Sequence, residues 1–143
     1  MRPETEKVVL ATGIALSVVV VCIGMFRFFV WPLYRDGHRR SLAARAVVAA
    51  SDMRSVVAGR LLKHDGRPIN EGLRIAVAPP VTGGYVAADG SVVINAQLDA
   101  AEPLTVVLHP QVERNAVQWT CGVPVEAQLR YVSSSCHQVV RMP

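Results

Sequence analysis

The sequence predicts an α+β protein in which one long N-terminal helix, membrane-spanning in its first half, packs on a small antiparallel sheet of three or four strands. Three observations lead to this fold class. An apolar run opens the chain, an amphipathic stretch follows it directly, and the remainder alternates with period two and ends in two cysteines. The 143 residues suffice for one domain of ordinary size.

The apolar run, residues 8–34, is predicted to cross a membrane. Its first nineteen residues, Val8–Phe26, carry no charge, and about 20 apolar residues span a bilayer. A cleaved secretory signal has a shorter core followed by small residues, whereas aromatic residues follow this one. Trp31 and Tyr34 lie one turn apart, as in an interfacial aromatic belt, and Arg27 is near enough to extend its guanidinium towards that interface.

The preceding residues, 1–7, are a short charged leader or cytoplasmic tail, and residues 35–143 are the predicted head. In the head the helix is expected to continue to about residue 63. Apolar positions recur there at steps of three and four residues: Leu42, Ala46, Ala49, Ala50, Met53, Val56, Val57 and Leu61. Most charges lie off that face, and an arginine cluster at its start faces either anionic headgroups or solvent: Arg35, Arg39, Arg40 and Arg45.

From about residue 72 to residue 120 the pattern changes to that of an antiparallel sheet, one face of which can cover a helix. Prolines are expected to end the first and third of its candidate strands. The candidate segments are Leu73–Ala78, Tyr85–Asn95 as a hairpin or as one strand after a turn at Asp89–Gly90, Leu104–Pro110 and Val117–Cys121.

Cys121 and Cys136 lie near the end of the chain with fourteen residues between them. Three interpretations are open: a metal-ligand pair with the adjacent His137, a thiol nucleophile beside the same histidine, or a disulfide that closes the loop 121–136. No further cysteine or histidine stands at zinc spacing, and adjacency in sequence does not make a catalytic dyad, so we expect the disulfide. Closing a loop of this length contributes about 3 kcal/mol.

The charges and the cysteines give opposite predictions for membrane topology. Positive charge after the span exceeds that before it, which places the head in the cytoplasm by the positive-inside rule. A disulfide instead requires an oxidising compartment such as a bacterial periplasm. We give the cysteines precedence, because a dedicated export route can override flanking charge. The expectation is a single-pass inner-membrane protein with a periplasmic head.

The sequence lacks the motifs of common enzyme chemistries. It has no glycine-rich phosphate loop, no HExxH pair and no serine elbow, and no two of its four histidines stand at a helical metal-ligand step. We therefore expect no catalytic residue, no cofactor, no metal and no small-molecule substrate. The arginines do not line an aromatic groove, so nucleic acid is not an expected partner.

Three stretches, which together cover most of the chain, resemble a bacterial type IV pilin. Ile23–Ala58 is similar to the helix of that family after its apolar start, with Pro32, with Tyr34 followed by Arg-Asp, and with an alanine-rich amphipathic run. Val92–Cys121 looks like the family's sheet. The ending Trp119–Cys136 is similar to the family's disulfide loop, and it is the most specific part because the Trp-x-Cys pair and the loop length occur together.

The resemblance implies a structural subunit of a type IV pilus or related filament, with a role in adhesion, motility or uptake. The implied partners are the inner membrane, other pilin subunits and the pilus assembly machinery. On the helix, the residues expected to serve membrane insertion or assembly are Ile14, Ala15, Gly24, Arg27, Trp31, Pro32 and Tyr34.

The start of the chain departs from the family pattern. In an alignment through Pro32 and Gly24, Leu10 falls where the family has the glycine of its leader cleavage point, and Ala15 falls where it has a glutamate. We therefore expect no cleavage between Leu10 and Ala11 and no inter-subunit salt bridge of that glutamate. Two identities fit these departures: a minor or atypical pilin, and a single-pass pilin-like accessory or sensor protein that does not polymerise.

Overall fold

The computed structural model describes residues 3–63 and 68–143, without the side chains of residues 3–8, 10 and 11. The chain forms two compact units, Met1–His38 and Arg39–Pro143, each of which is described by itself. A long N-terminal helix and a four-stranded sheet confirm the predicted α+β fold class, and that helix ends where the sequence predicts. Two short 3₁₀ helices, Glu126–Tyr131 and Ser134–Cys136, follow the sheet. The segments of the long helix are α1 (Pro3–Met25), a π-helical turn (Phe26–Val30) and α2 (Trp31–Lys63).

The π-helical turn at Phe26–Val30 lies directly before Pro32. Proline has no N–H to donate, and its ring crowds the carbonyl four residues earlier, which here belongs to Phe28. In the π turn the N–H of Trp31 donates to the carbonyl of Phe26, five residues back. The helix therefore continues through Pro32, as predicted, and the turn before the proline is wider than an α-helical turn.

The second unit contains a four-stranded antiparallel meander. Each strand pairs with its neighbour in sequence, in the order β1-β2-β3-β4. The predicted turn at Asp89–Gly90 joins the first two strands, and Gly90 has a φ of 86°, a conformation that favours glycine. The strands are β1 (Val81–Val86), β2 (Val92–Asp99), β3 (Glu102–Glu113) and β4 (Ala116–Gly122).

The core lies between α2 and one face of the sheet. The buried face of α2 consists mainly of alanine, whose small side chain lets the helix approach the sheet closely. The predicted apolar face is confirmed except at Val56, which is 45% exposed. The buried residues of this core include Ala43, Ala46, Ala50 and Val57 from α2, Val92, Ile94, Ala96 and Leu98 from β2, and Leu104, Val106 and Leu108 from β3.

The sheet begins later than the sequence predicts. Leu73–Ala78 forms no strand, and the first strand starts at Val81. Leu73 and Ile75 do pack against the core, which accounts for the alternation. Alternation reports only which side chains are buried, whereas a strand also needs a neighbouring chain to bond with. Among the described residues this segment has no such partner strand.

The third strand extends beyond Pro110, where the sequence predicts its end. β3 runs to Glu113, and its pairing with β2 stops at Leu108. From His109 onward β3 pairs with β4 alone. Proline is tolerated on such an edge, because the missing N–H removes no bond on the open side of the strand.

The turn between β3 and β4 places Arg114 at a φ of 53°, in the left-handed region that side chains other than asparagine and aspartate rarely adopt. That conformation costs roughly 1–2 kcal/mol for an L-residue, and glycine avoids the cost at some loss of chain entropy. Arg114→Gly is therefore expected to raise the free energy of unfolding by about 1 kcal/mol.

The measurement is a urea titration of the full chain in detergent micelles. In a Trp31→Phe background Trp119 is the remaining tryptophan, and its fluorescence reports unfolding of the sheet. Asn115→Gly is the matched control, because Asn115 lies in the same turn without a positive φ. An unfolding midpoint for Arg114→Gly at or below that of the parent contradicts the prediction.

Candidate functional sites on the apolar helix and the disulfide loop

The described helix from Thr12 onward is long and apolar enough, by length and composition, to cross a membrane. In the isolated chain the apolar side chains of its first half are exposed to solvent. An apolar surface of this extent needs lipid or other helices around it. Of the predicted membrane and assembly residues, Gly24 is half-buried and the others are exposed: Ile14, Ala15, Arg27, Trp31, Pro32 and Tyr34.

The predicted leader, residues 1–7, is described only in part: the backbone of residues 3–7 belongs to α1, and their side chains are not described. Met1 and Arg2 are not described, and neither are the side chains of Leu10 and Ala11. The backbone of Leu10 and Ala11 belongs to α1. That the chain keeps residues 1–10 therefore stays a prediction.

Arg27 is the single charged residue between Lys7 and Arg35. It lies in the π-helical turn with its side chain exposed, and it makes no side-chain hydrogen bond or ion pair with the described residues. A charged side chain in a membrane-spanning segment either extends to the membrane interface or pairs with an opposite charge.

Cys121, near the end of β4, and Cys136, in a short 3₁₀ turn, form a disulfide with their Cα atoms 4.5 Å apart. Both residues are buried at the edge of the core. The predicted bridge is therefore confirmed. Since both sulfurs are in the bond, Cys136 is neither a metal ligand nor a nucleophile beside His137.

The disulfide loop completes the sheet where β4 ends. β4 pairs with β3 only as far back as Val107, so no strand of the described chain pairs with the earlier residues of β3 on that side. Gln128 of the loop occupies this place. Its amide oxygen accepts a hydrogen bond from the N–H of Thr105 at 3.3 Å, and its Nε2 donates to the carbonyl of Pro103 at 3.1 Å. A side-chain amide offers the same donor and acceptor as a peptide group, so Gln128 closes the open edge.

The prediction that Arg39 belongs to an exposed basic cluster is wrong. The sequence places it at headgroups or in solvent, but it is buried and only 7% exposed. Its guanidinium donates to the carboxylate of Asp99 at 3.0 Å and to the hydroxyl of Tyr131 at 3.2 Å, and it lies 3.6 Å from the carboxylate of Glu102. These four residues form what we name the Arg39 cluster.

The Arg39 cluster joins the helix, the turn between β2 and β3, and the disulfide loop. The hydrogen bond to Asp99, helped by the nearby charges, outweighs desolvation and raises the pKa of Arg39 above its ordinary value. Arg130 of the loop extends the cluster: its guanidinium lies 4.6 Å from the centre of the Tyr131 ring and 3.6 Å from the Glu102 carboxylate. The cluster thus fixes the loop to the helix by charge as well as by packing.

A sequence signal for the burial of Arg39 does exist. Arg39 stands three residues before Leu42 and four before Ala43, which puts it on the apolar face of α2. The carboxylates that compensate its charge lie about sixty residues away in the chain. The helical pattern alone therefore predicts that Arg39 lies on the apolar face of α2, but it does not predict which carboxylates pair with Arg39.

An open groove of about 630 Å³ lies between α2 and the disulfide loop. Its floor is apolar, and none of the described residues that line it is acidic. Sequence reasoning missed this groove because its two walls come from distant parts of the chain. The apolar lining residues are Ala44, Val47, Val48, Leu129 and Val132, and the others are Arg40, Arg130, Tyr131, Ser133 and His137.

Asp89, Ser91 and His109 meet at the turn between β1 and β2. The Ser91 hydroxyl lies 2.8 Å from Asp89 Oδ2 and 2.7 Å from His109 Nδ1. In a hydrolytic triad the carboxylate orients the histidine and the serine is accessible. Here the carboxylate accepts from the serine, and Ser91 is completely buried. The arrangement stabilises the turn and lacks the geometry of a nucleophilic site.

Asp89 gives the head a predicted dependence on acid. Burial raises the pKa of Asp89, but the hydrogen bonds from the N–H and hydroxyl of Ser91 and the charge of His109 outweigh it and lower the pKa below 3.8. A carboxyl with a depressed folded pKa stabilises the fold above its unfolded pKa, and this contribution is lost as the pH falls through the folded pKa. Stability should therefore fall below about pH 4, and less steeply in Asp89→Asn.

Urea midpoints of the full chain between pH 2 and pH 7 measure this dependence. Glu126→Gln, which also removes one exposed carboxylate, is the control for the change in net charge. Equal acid slopes in the parent and Asp89→Asn would show that the turn contributes nothing to the acid response.

The fold and these sites define a class: an α+β protein with a candidate membrane helix and a disulfide-bridged head. No protein-family model matches the sequence, and no curated protein matches it significantly. Among the described residues, no group of three histidine, cysteine or carboxylate side chains is placed to hold a metal ion.

Proposed function

We propose that this chain is a structural subunit of a type IV pilus or a related filament, of a minor or atypical kind. One observation carries the proposal: the helix is apolar and exposed in its first half, and its second half covers a four-stranded antiparallel sheet through an alanine face. The disulfide between Cys121 and Cys136 supports it, since the sequence around that loop resembles the corresponding loop of pilins.

In this proposal the apolar half holds the subunit in the inner membrane and later packs among the helices of the fibre. The sheet and the disulfide loop form the exposed face. A buried structural disulfide supports a periplasmic head, because such bonds persist in oxidising compartments.

The groove between α2 and the disulfide loop favours a second candidate function. An open groove with an apolar floor and basic residues beside it suits a protein that binds a partner. The alternative is therefore a single-pass inner-membrane accessory or sensor protein with a periplasmic head, which does not polymerise.

Cell fractionation with and without mechanical shearing separates the two candidates. We expect an antibody to the head to detect the chain in the filament pellet of sheared cells, with an inner-membrane protein as the control for lysis. Retention of the whole population in the membrane fraction would favour the accessory protein.

Mass spectrometry of the same material should show Cys121 and Cys136 bonded, and two free thiols would contradict a periplasmic head.

The start of the chain is tested separately, by N-terminal sequencing of the membrane-bound protein. We expect residues 1–10 to be retained, because Leu10 replaces the glycine of the pilin cleavage point. Leu10→Gly combined with Ala15→Glu should improve both processing and entry into filaments. No change in either would count against the pilin assignment of this segment.

A further inference from the structure

Arg27 is a charge within an otherwise apolar segment, and no side chain that the structure describes supplies a counter-charge for it. The segment between Lys7 and Asp36 contains no carboxylate. The flanking residues Phe26, Phe28 and Phe29 are apolar and exposed. Ionisable residues inside membrane segments are rare, and those that occur pair with one another, line a polar cavity or extend to the interface.

The depth of Arg27 below the interface determines the cost of each outcome. Arg27 lies four residues before Trp31 and seven before Tyr34, which corresponds to about 6 Å and about 10 Å of helix. The guanidinium can extend towards the interface, but it then lies against the large apolar side chains that follow Arg27. A carboxylate at the same depth on a neighbouring helix compensates the charge without that extension.

The helix offers a surface along which a second helix can approach Arg27. Gly13, Ser17 and Gly24 fall within about 40° of one another around the helix axis, and Arg27 lies near the edge of the same face. No atom lies within 4 Å of the position that a Cβ would occupy at Gly13 or Gly24. The Ser17 hydroxyl donates to the carbonyl of Gly13 at 2.9 Å, so it presents little polar surface to a neighbour. Small residues let helix backbones approach closely in a membrane.

We propose that Arg27 binds the carboxylate of an Asp or Glu side chain on the membrane-spanning helix of a partner protein, which packs along the face of Gly13, Ser17 and Gly24. A second copy of this chain is not that partner, because its own span carries no carboxylate. Arg27 lies in the π-helical turn, and such turns are frequent at functional sites. The inference rests on the membrane insertion in the proposed function, but not on polymerisation.

The test uses the full chain, labelled with a fluorescent acceptor at its C-terminus and reconstituted into phosphatidylcholine vesicles. Two synthetic membrane-spanning peptides carry a donor and differ at one position, Glu or Gln, four residues from an interfacial tryptophan, as Arg27 is from Trp31. Energy transfer gives the association of each peptide with the chain. We expect the Glu peptide to associate about 3- to 20-fold more tightly, the range measured for polar contacts between membrane helices.

Three variants identify the group responsible. Arg27→Leu should abolish the preference for the Glu peptide, and Arg27→Lys should retain most of it. Arg35→Leu removes a charge beyond the apolar segment and should leave the preference unchanged.

Equal association of the two peptides overturns the proposal, as does a preference that survives Arg27→Leu. Resistance of the chain to carbonate extraction is checked first, and failure to insert overturns both this inference and the membrane part of the proposed function. If the chain prefers the Glu peptide but never enters filaments, the inference about Arg27 holds. Only the proposal that the chain is a pilus subunit is then contradicted.

Discussion

Replacing Cys121 and Cys136 together with serine is expected to lower the free energy of unfolding of the head by about 3 kcal/mol. The two cysteines are 15 residues apart in sequence, so the bridge removes the conformational freedom of a closed loop of that size from the unfolded chain. The loss extends beyond loop entropy, because the loop carries Gln128, which closes the edge of β3, and Tyr131 of the Arg39 cluster.

The assay is urea unfolding of the full chain in micelles, followed by Trp119 fluorescence in the Trp31→Phe background. Cys22→Ser is the matched control, since Cys22 is a free, exposed cysteine in α1 and its replacement leaves the head unchanged. Reduction of the parent protein should reproduce the midpoint of the double serine variant. A double variant as stable as the parent would show that the loop is held by its packing and by the Arg39 cluster alone.

The fold class follows from patterns that act locally. Steps of three and four apolar residues predict the buried face of α2, and period-two alternation predicts the strands, because each pattern directly reflects which side chains leave water. The same reasoning fails at Leu73–Ala78. There the side chains are partly buried, but no neighbouring strand bonds the backbone, and a single sequence does not contain that information.

Some features of the candidate sites can likewise be predicted from the sequence, and others cannot. The pairing of Cys121 and Cys136 is predictable, because the described chain offers few alternatives at the required spacing. The burial of Arg39 is not, because its cost is balanced by Asp99 and Glu102, whose position depends on the register of the β2–β3 hairpin. The π-helical turn is predictable only in part. Pro32 indicates that the helix is irregular there, but the sequence does not say which hydrogen bonds replace those that the proline prevents.

Ile94→Ala is expected to lower the free energy of unfolding of the head by about 2–5 kcal/mol. Ile94 is completely buried in the middle of β2, facing α2, and it pairs with Gly84 on β1 and Val106 on β3. Gly84 has no side chain that can move into the vacated space, and the backbone bonds of the sheet prevent the strands from closing around it. The cost therefore includes both the lost apolar burial and a persistent cavity.

A graded series separates cavity formation from a general weakening of the sheet. Ile94→Val removes one methylene and should cost about 0.5–1.5 kcal/mol, between the parent and Ile94→Ala. Val112→Ala is the matched control: Val112 is also a strand residue, but it is 46% exposed, so its truncation should change stability by less than about 0.5 kcal/mol. If Ile94→Ala and Val112→Ala had the same small effect, the space between α2 and the sheet would not be a packed core, and the alanine face of the helix would have no sheet to cover.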